Sequence, residues 1–301
     1  MPTRLGSRKQ DAVYLIDASV FIFRAWFSLP STLLGRDNQP VNAVYGYARF
    51  LAELLASQQP ARIAVAFDES LETSFRNDIY PAYKANREPA PDELKAQFAA
   101  CKRLSQAMGA PVVSSDRYEA DDLIASLLIR ERQMGRFSVI VSRDKDLAQL
   151  LDHNDLFWDY PMDLVYDIPG ITEKFGVPPA QMLDYQALVG DAVDNIPGVR
   201  GIGPKAASAL LAEFQTLDNL LDNLHRVPQM TLRGATRLAR LLEEQREQAL
   251  MSRQLCALAL DAPLTDEVGD LSWRGINADA IVSCCEDVGL GSRLREQLLA
   301  V

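Results

Sequence analysis

Histidine is almost missing from this chain: among 301 residues there are two, His153 and His225, far apart. A histidine-centred triad or a histidine-rich metal cage has nothing to be built from. The four cysteines, Cys101, Cys256, Cys284 and Cys285, contain no C-x-x-C pair and include two neighbours. That suits neither a disulfide framework nor a zinc site, so they are expected to be reduced and structural. Long apolar runs are missing too. Leu123 to Ile129 falls far short of the roughly 20 residues that cross a bilayer. Met1 to Gln10 carries Arg4, Arg8 and Lys9 but no apolar core and no small-residue cleavage site, so a cytoplasmic chain with a loose N-terminus is expected. Positive charge is in deficit, 31 Lys and Arg against 41 Asp and Glu, a net of -10. Taken whole, that argues against a polyanionic partner, unless the acids are segregated. With 48% hydrophobic and 24% charged residues, the composition excludes disorder, collagen and coiled coil, and the length allows one large domain or two modest ones.

Chemistry must then come from carboxylates, lysines or metals, and the carboxylates are placed systematically. Three short runs rich in Val, Ile and Phe end on or near an aspartate: Val13 to Ile16 before Asp17, Ile63 to Phe67 before Asp68, and Phe137 to Val141 before Asp144. They read as buried strands of a parallel sheet. Helical spacing fills the gaps: Val44, Tyr47, Leu51, Leu54 and Leu55, then Leu94 to Met108, then Leu123, Ile124, Leu127 and Leu128. Alternating strand and helix predicts an α/β layer fold with a mostly parallel sheet. After about Asp167 the strand-like runs stop, and helices punctuated by Gly and Pro follow: Pro179 to Val189, Pro204 to Phe214, Arg233 to Leu260 and Ala278 to Gly289. A second, all-helical domain is the simplest reading.

In open parallel sheets ligands bind beyond the carboxyl ends of the strands, so an aspartate after each strand directs several acids at one crevice. Asp17 alone would pass as a helix cap or turn residue. Tyr118-Glu119-Ala120-Asp121-Asp122 opens a helix. Those acids fit ordinary capping equally well, yet Glu119 and Asp122, three apart, share a face. Asp144-Lys145-Asp146 follows the third strand, and Asp191 and Asp194, again three apart, lie before Asn195-Ile196-Pro197-Gly198. These last two can equally be solvated loop acids. Were all these carboxylates close together they could not ionise without counter-charge. Oxygen ligands without His or Cys select hard divalent ions, Mg²⁺ first and Mn²⁺ next. Two such ions about 4 Å apart suit in-line phosphoryl displacement.

Bases are segregated as expected of a chain that meets a polyanion locally. Arg76, Lys84, Arg87, Lys95, Lys102 and Arg103 crowd into residues 75–103 and interleave with Phe75, Tyr80 and Tyr83, a mixture that grips phosphates and stacks on unpaired bases, or forms a solvated loop of snorkelling side chains. From 199 to 240 the balance is again basic. Its opening, Pro197-Gly198-Val199-Arg200-Gly201-Ile202-Gly203-Pro204-Lys205, reads as a glycine hairpin between two helices, where backbone amides and a helix N-terminus meet phosphate. No strand precedes it, which argues against a dinucleotide fingerprint.

In this order the motifs resemble those of the 5′ nucleases: the nuclease domain of bacterial DNA polymerase I, phage 5′ exonucleases and flap endonucleases. The motifs are Leu15-Ile16-Asp17, Ala66-Phe67-Asp68, Phe75-Arg76 with Tyr83-Lys84-Ala85-Asn86-Arg87, Tyr118 to Asp122, Asp144 to Leu147, and Gly190-Asp191 through to Lys205. The resemblance runs from about Asp11 to Phe214 and fades beyond Gln215. It implies a PIN-like α/β metal-nuclease domain over 11–175 after a flexible 1–10, with a helical arch at about 72–108. A helical DNA-binding domain over 176–301 would contain a helix-hairpin-helix at about 184–214. It implies a Mg²⁺-dependent 5′ to 3′ exonuclease and 5′-flap endonuclease of replication or repair, acting on DNA with free 5′ ends, flaps or branches. Asp17, Asp68, Glu119, Asp121 and Asp122 would form the first metal group, and Asp144, Asp146, Asp191 and Asp194 the second. Lys84 and Arg87 would be catalytic, at the scissile phosphate. Arg76, Tyr80, Tyr83, Lys84, Arg87, Arg200, Gly201, Gly203 and Lys205 would touch DNA. A K⁺ would sit on the backbone carbonyls of Leu188, Val189, Pro197, Val199 and Ile202. Because the chain ends at Val301, a stand-alone, monomeric, nucleoid-associated nuclease is expected, functionally linked to a polymerase. Val193 stands where a small polar residue is common in the family. Two alternatives remain: a non-catalytic clamp for branched DNA, and a Toprim-type site, which would have no use for Asp17, Asp68 and Asp191.

Overall fold

A computed structural model describes residues 11–69, 73–264 and 268–301. The expected loose segment 1–10 and the first residue of the expected arch lie outside them. The described strands are β1 (Val13–Asp17), β2 (Arg62–Asp68), β3 (Val112–Ser115), β4 (Ser138–Val141), β5 (Leu156–Asp159) and β6 (Leu164–Tyr166). They form one sheet in the order β3-β2-β1-β4-β5-β6, parallel except for β6, which pairs antiparallel with β5. The chain builds outward from β1 through β2 to β3, then returns across the sheet to β4. The order therefore reverses between β1 and β4, the place where an open α/β sheet leaves a crevice at its carboxyl edge.

Strand alternation sends side chains to two cores. Val13, Leu15, Ala64, Ala66 and Ile140 face one side, and Tyr14, Ile16, Ile63, Val65, Phe67, Val139 and Val141 the other. The second face is covered by α1 (Ala18–Ser28), α2 (Asn42–Gln58) and α4 (Asp92–Ala107), the short α3 (Phe75–Ile79) lying between α2 and α4 in the chain. The first face is covered by α5 (Ala120–Gln133), and the same apolar cluster continues into the helical part. That part comprises α6 (Ile168–Phe175), α7 (Pro179–Val189), α8 (Pro204–Phe214), α9 (Leu217–Asp222), α10 (Ala235–Glu244) and α11 (Arg246–Cys256). The periodic stretch 233–260 is thus two helices, broken at Gln245.

The last two helices are α12 (Ala278–Val288) and α13 (Ser292–Leu299). Ile281, Cys284, Cys285, Leu290, Leu294 and Leu298 are buried with α2 and α4 on the opposite face of the sheet, so 278–299 belong to the α/β layers. The strap leading to them is held to the sheet: Ile63 N–H donates to Leu271 O at 2.8 Å, and Trp273 Nε1 to Met108 O at 2.8 Å. All four cysteines are buried free thiols. Among the described residues no helix is long and apolar enough to cross a membrane.

Candidate active site

The aspartates that end the strands meet at the β1/β4 crevice. Asp17, the last residue of β1, is 4% exposed, and its Oδ2 accepts from Ser142 Oγ at 2.8 Å. Ser142 sits just past β4, is fully buried, and also accepts from Asp144 N–H at 2.9 Å. One hydroxyl therefore ties the end of β1 to the turn after β4. Asp68 ends β2 and is fixed on both oxygens: Ser19 Oγ donates to Oδ2 at 2.6 Å and Ala120 N–H, at the start of α5, to Oδ1 at 2.8 Å. Asp121, in the first turn of α5, has Asp17, Asp68, Asp144 and Asp146 for neighbours.

That crowding shows in the electrostatics. The Asp17 carboxyl is pushed up to about 7, by burial first and then by Asp68. Burial, with repulsion from Asp144, Asp17, Asp146 and Asp68, holds Asp121 well above the usual carboxylate range. Asp146 is raised in the same way, by burial and then by Asp144 and Asp194. Asp144 reaches solvent, yet it too is raised, by desolvation against the surrounding protein and by Asp194, with a bond from Asp146 N–H opposing. These groups are near enough to penalise one another's charge, as their spacing along the strands predicts.

Counter-charge comes from the chain itself. Lys84 Nζ lies 2.6 Å from Glu119 Oε2 and 3.6 Å from Asp194 Oδ2. Burial lowers its ammonium's pKa, and attraction to Glu119 and Asp194 outweighs that, for a net rise. Arg87 pairs with Asp194. Lys145 donates to Asp191 at 2.5 Å; burial raises the Asp191 carboxyl, but this bond overcomes it and the net shift is downward. The turn carrying Lys84 is fastened to the loop carrying Asp194 by backbone as well. Lys84 N–H donates to Asp194 O at 3.0 Å, Asn86 Nδ2 to Ala192 O at 2.9 Å, and Asn195 Nδ2 to Ala82 O at 2.6 Å. Lys84 and Asn195 both adopt positive φ, 54° and 56°. With its acids drawn to these bases, no three Asp, Glu, His or Cys side chains among the described residues stand ready to hold one ion. The donor set still fits a hard cation. It is all oxygen, burial and mutual repulsion raise Asp17, Asp121, Asp144 and Asp146, and among the described residues Glu119 keeps one buried oxygen, Oε1, with no partner.

Several expected roles are corrected. Asp122 does not join the acids. It is fully buried, and both oxygens are taken: Arg76 donates to them at 2.7 and 2.8 Å, Ala259 N–H to Oδ1 at 2.9 Å, and Glu119 N–H to Oδ2 at 3.1 Å. Arg76, only 2% exposed, does not face DNA. Its Nε and Nη2 also donate to the carbonyls of Leu255 and Ala257, so it pins α3 to the end of α11. Tyr83 is 3% exposed, and its hydroxyl lies 3.1 Å from Glu119 and 3.2 Å from Asp194; it braces carboxylates and offers no face to a base. Tyr80 is half-buried in the same small cluster with Ile196, Leu255 and Cys256. Residues 80–87 are therefore a turn folded onto the acids. Val193 is exposed, and its N–H caps Asp191 at 2.7 Å, which needs no polar side chain.

The glycine hairpin is built as its sequence suggests. Gly190 and Gly198 have φ of 77° and 59°, and a Cβ on either would lie within 2.6 Å of the other strand's backbone. Only glycine fits there. Ser19, Ser142 and Gln186, and the pairing role of Lys145, carry no signal in the sequence; nor do the residues that brace the hairpin from behind. Ser252 Oγ accepts from Gly198 N–H at 3.1 Å, Gln248 donates to Gly198 O at 2.6 Å, and Gln245 exchanges bonds with the Arg200 backbone at 2.8 and 3.2 Å. Arg200, Gly201, Gly203 and Lys205 are exposed. Of the carbonyls expected to hold K⁺, those of Leu188 and Val199 already accept from Val199 N–H and Ile202 N–H, leaving one lone pair each.

Over residues 12–176 the chain matches the family described as the 5′-3′ exonuclease N-terminal resolvase-like domain, and over 177–279 that described as the 5′-3′ exonuclease C-terminal SAM fold. It is 40% identical over 211 residues to the 5′-3′ exonuclease of Aquifex aeolicus, covering 70% of this chain and 72% of that one. It is 41% identical over 282 residues to DNA polymerase I of Rhizobium leguminosarum, covering 91% of this chain. The chain spans 27% of that protein and 32% of the Bacillus caldotenax polymerase I, which it also matches. The fold is that of phage T5 5′-exonuclease solved with zinc bound, at a TM-score of 0.65 and 21% identity over 96% of this chain and 99% of that one. The catalytic core of Rad2 in complex with DNA substrate shares it too, at a TM-score of 0.67 and 18% identity over 99% and 94%. From its strand-end aspartates to its glycine hairpin, this chain belongs to the 5′-3′ exonuclease family.

Proposed function

We propose that the chain is a Mg²⁺-dependent 5′ to 3′ DNA exonuclease and 5′-flap endonuclease. One observation carries this: carboxylates from four separate stretches of chain meet at the sheet's switch point and raise one another's affinity for protons, as a site built for added positive charge must. Asp17, Asp68, Glu119 and Asp121 would hold one cation and Asp144, Asp146, Asp191 and Asp194 a second; Mn²⁺ would substitute. Bound there, such ions acidify water and offset charge on the leaving oxygen. Ser19 and Ser142 keep the Asp68 and Asp17 carboxylates aimed into the crevice. Lys84 and Arg87, once their acids have other counter-charge, can turn to a phosphate and stabilise charge developing on it. The hairpin from Gly198 to Lys205 would grip duplex backbone without reading sequence, with K⁺ on the remaining lone pairs of Leu188 and Val199 and on Val189, Pro197 and Ile202. A functional link to a polymerase belongs to the same proposal, supported by the polymerase I relatives, as do a monomeric state and a nucleoid location.

Digestion of an end-labelled 5′-flap DNA with and without Mg²⁺ tests it. Metal-dependent release of the flap is expected from the parent chain, with Asp144→Asn slowed by a hundredfold or more, on the order of one lost electrostatic group. An Asp144→Asn chain that cuts as fast as the parent would refute the assignment. A parent inert in both Mg²⁺ and Mn²⁺ that still binds flaps would favour the clamp.

A further inference from the structure

Gln186 stands one turn from the end of α7, is 1% exposed and carries no charge, yet its Nε2 donates to Asp146 Oδ1, 40 residues away in the chain. Its Oε1 is buried and has no partner among the described residues. Among them no second hydrogen bond competes for the amide, so the carboxylate sets its orientation. The grip is reciprocal: Lys145, beside Asp146, reaches back to Asp191, just past the end of the same helix. That helix end is continuous with the hairpin. Gln186 O accepts from Gly190 N–H at 2.7 Å, and Leu188 O from Val199 N–H at 2.8 Å.

We infer that Gln186 is a positioning residue: it holds Asp146 in the orientation in which that carboxylate binds a divalent cation, and it does so from the helix that carries the hairpin. The inference rests on the metal-dependent site proposed above. Donors behind ligating carboxylates carry about 10- to 100-fold in metal affinity. Gln186 is uncharged, and Asp146 is the carboxylate its side chain bonds among the described residues, so its effect would pass through Asp146.

Mn²⁺ binding to the full chain without DNA, measured by calorimetry for the parent, Gln186→Met, Asp146→Asn and the double variant, provides the test. Met keeps length and volume but removes the donor. The expected result is a loss of about 10- to 100-fold in affinity for Gln186→Met in the parent background and less than about twofold when Asp146 is already Asn, because the two act as one unit. Equal losses in both backgrounds would show a merely structural role and overturn the inference, as would parent-like binding by Gln186→Met. A parent that binds no Mn²⁺ would overturn the proposed function along with it, whereas parent-like binding by the variant sinks only the role of Gln186. Independently of any variant, the Gln186 side-chain ¹⁵N resonance of the parent should shift on Mg²⁺ titration and saturate with the binding curve; a resonance that stays still contradicts the assignment.

Discussion

Two basic regions flank the acidic crevice, and the chain treats them differently. In the turn 83–87, Lys84 and Arg87 are held against Glu119 and Asp194, and Tyr83 is buried between the same acids. In the hairpin 198–205, Arg200 and Lys205 are exposed and make no ion pair among the described residues; only the backbone is braced, by Gln245, Gln248 and Ser252. The first region's charge is wired to the site, so its availability depends on what else neutralises the acids. The second is a standing electrostatic surface, whose contribution to binding a polyanion should be additive and salt-sensitive.

The sharpest break is expected at the base of the wired region. Arg76→Met leaves Asp122 buried without its partner, and urea unfolding should show a loss of about 3–5 kcal/mol, whereas Arg200→Ala should stay within about 0.5 kcal/mol. Next comes Lys84→Ala. Single-turnover flap cleavage should fall by about 10²–10³, with duplex affinity hardly moved. The hairpin should show the reverse: Arg200→Ala with Lys205→Ala should lower the slope of log affinity against log salt by about 1.8, at 0.9 per phosphate contact, and leave the single-turnover rate at saturating DNA near that of the parent. A Lys84→Ala chain that changes the salt slope while the hairpin pair does not would invert the comparison.

The smallest expected effect is in pH. Asp17 is raised when folded, to about 7, and Asp121, Asp144 and Asp146 are raised as well. A raised carboxyl adds stability that is full below the ordinary carboxylate range and is lost as pH rises through its folded value. Metal-free protein should therefore melt a few degrees lower at pH 8 than at pH 5, and Mg²⁺ should restore the difference at pH 8. Melting that is highest at pH 8 without metal would show that the acids do not crowd one another.

Much of this was legible in the sequence where period and punctuation are strong. The runs ending at Asp17 and Asp68 appear as expected, as does the four-residue β4, whereas β3 holds only two apolar residues before its serines and β5 lacks the Val and Ile that mark the other runs. In the hairpin, Gly201 and Gly203 are the signal in the sequence, while the pair that only glycine fits, Gly190 and Gly198, shows itself only in the folded chain. In Glu119-Ala120-Asp121-Asp122 three acids look alike along the chain; what separates Asp122 is Arg76, 46 residues distant. The same distance hides Ser142, Gln186 and Ser252, which are uncharged and whose partners belong to other elements. Helices α12 and α13 share the character of α10 and α11, and only packing sends them to the other face of the sheet.

The central claim is that the strand-end acids take up divalent cations together. Anomalous diffraction from a crystal soaked in Mn²⁺ tests it directly. Two peaks, one among Asp17, Asp68, Glu119 and Asp121 and one among Asp144, Asp146, Asp191 and Asp194, with Lys84 drawn away from Glu119, are the predicted result. A clean map showing no ion there, with Lys84 still against Glu119 at saturating metal, would contradict it.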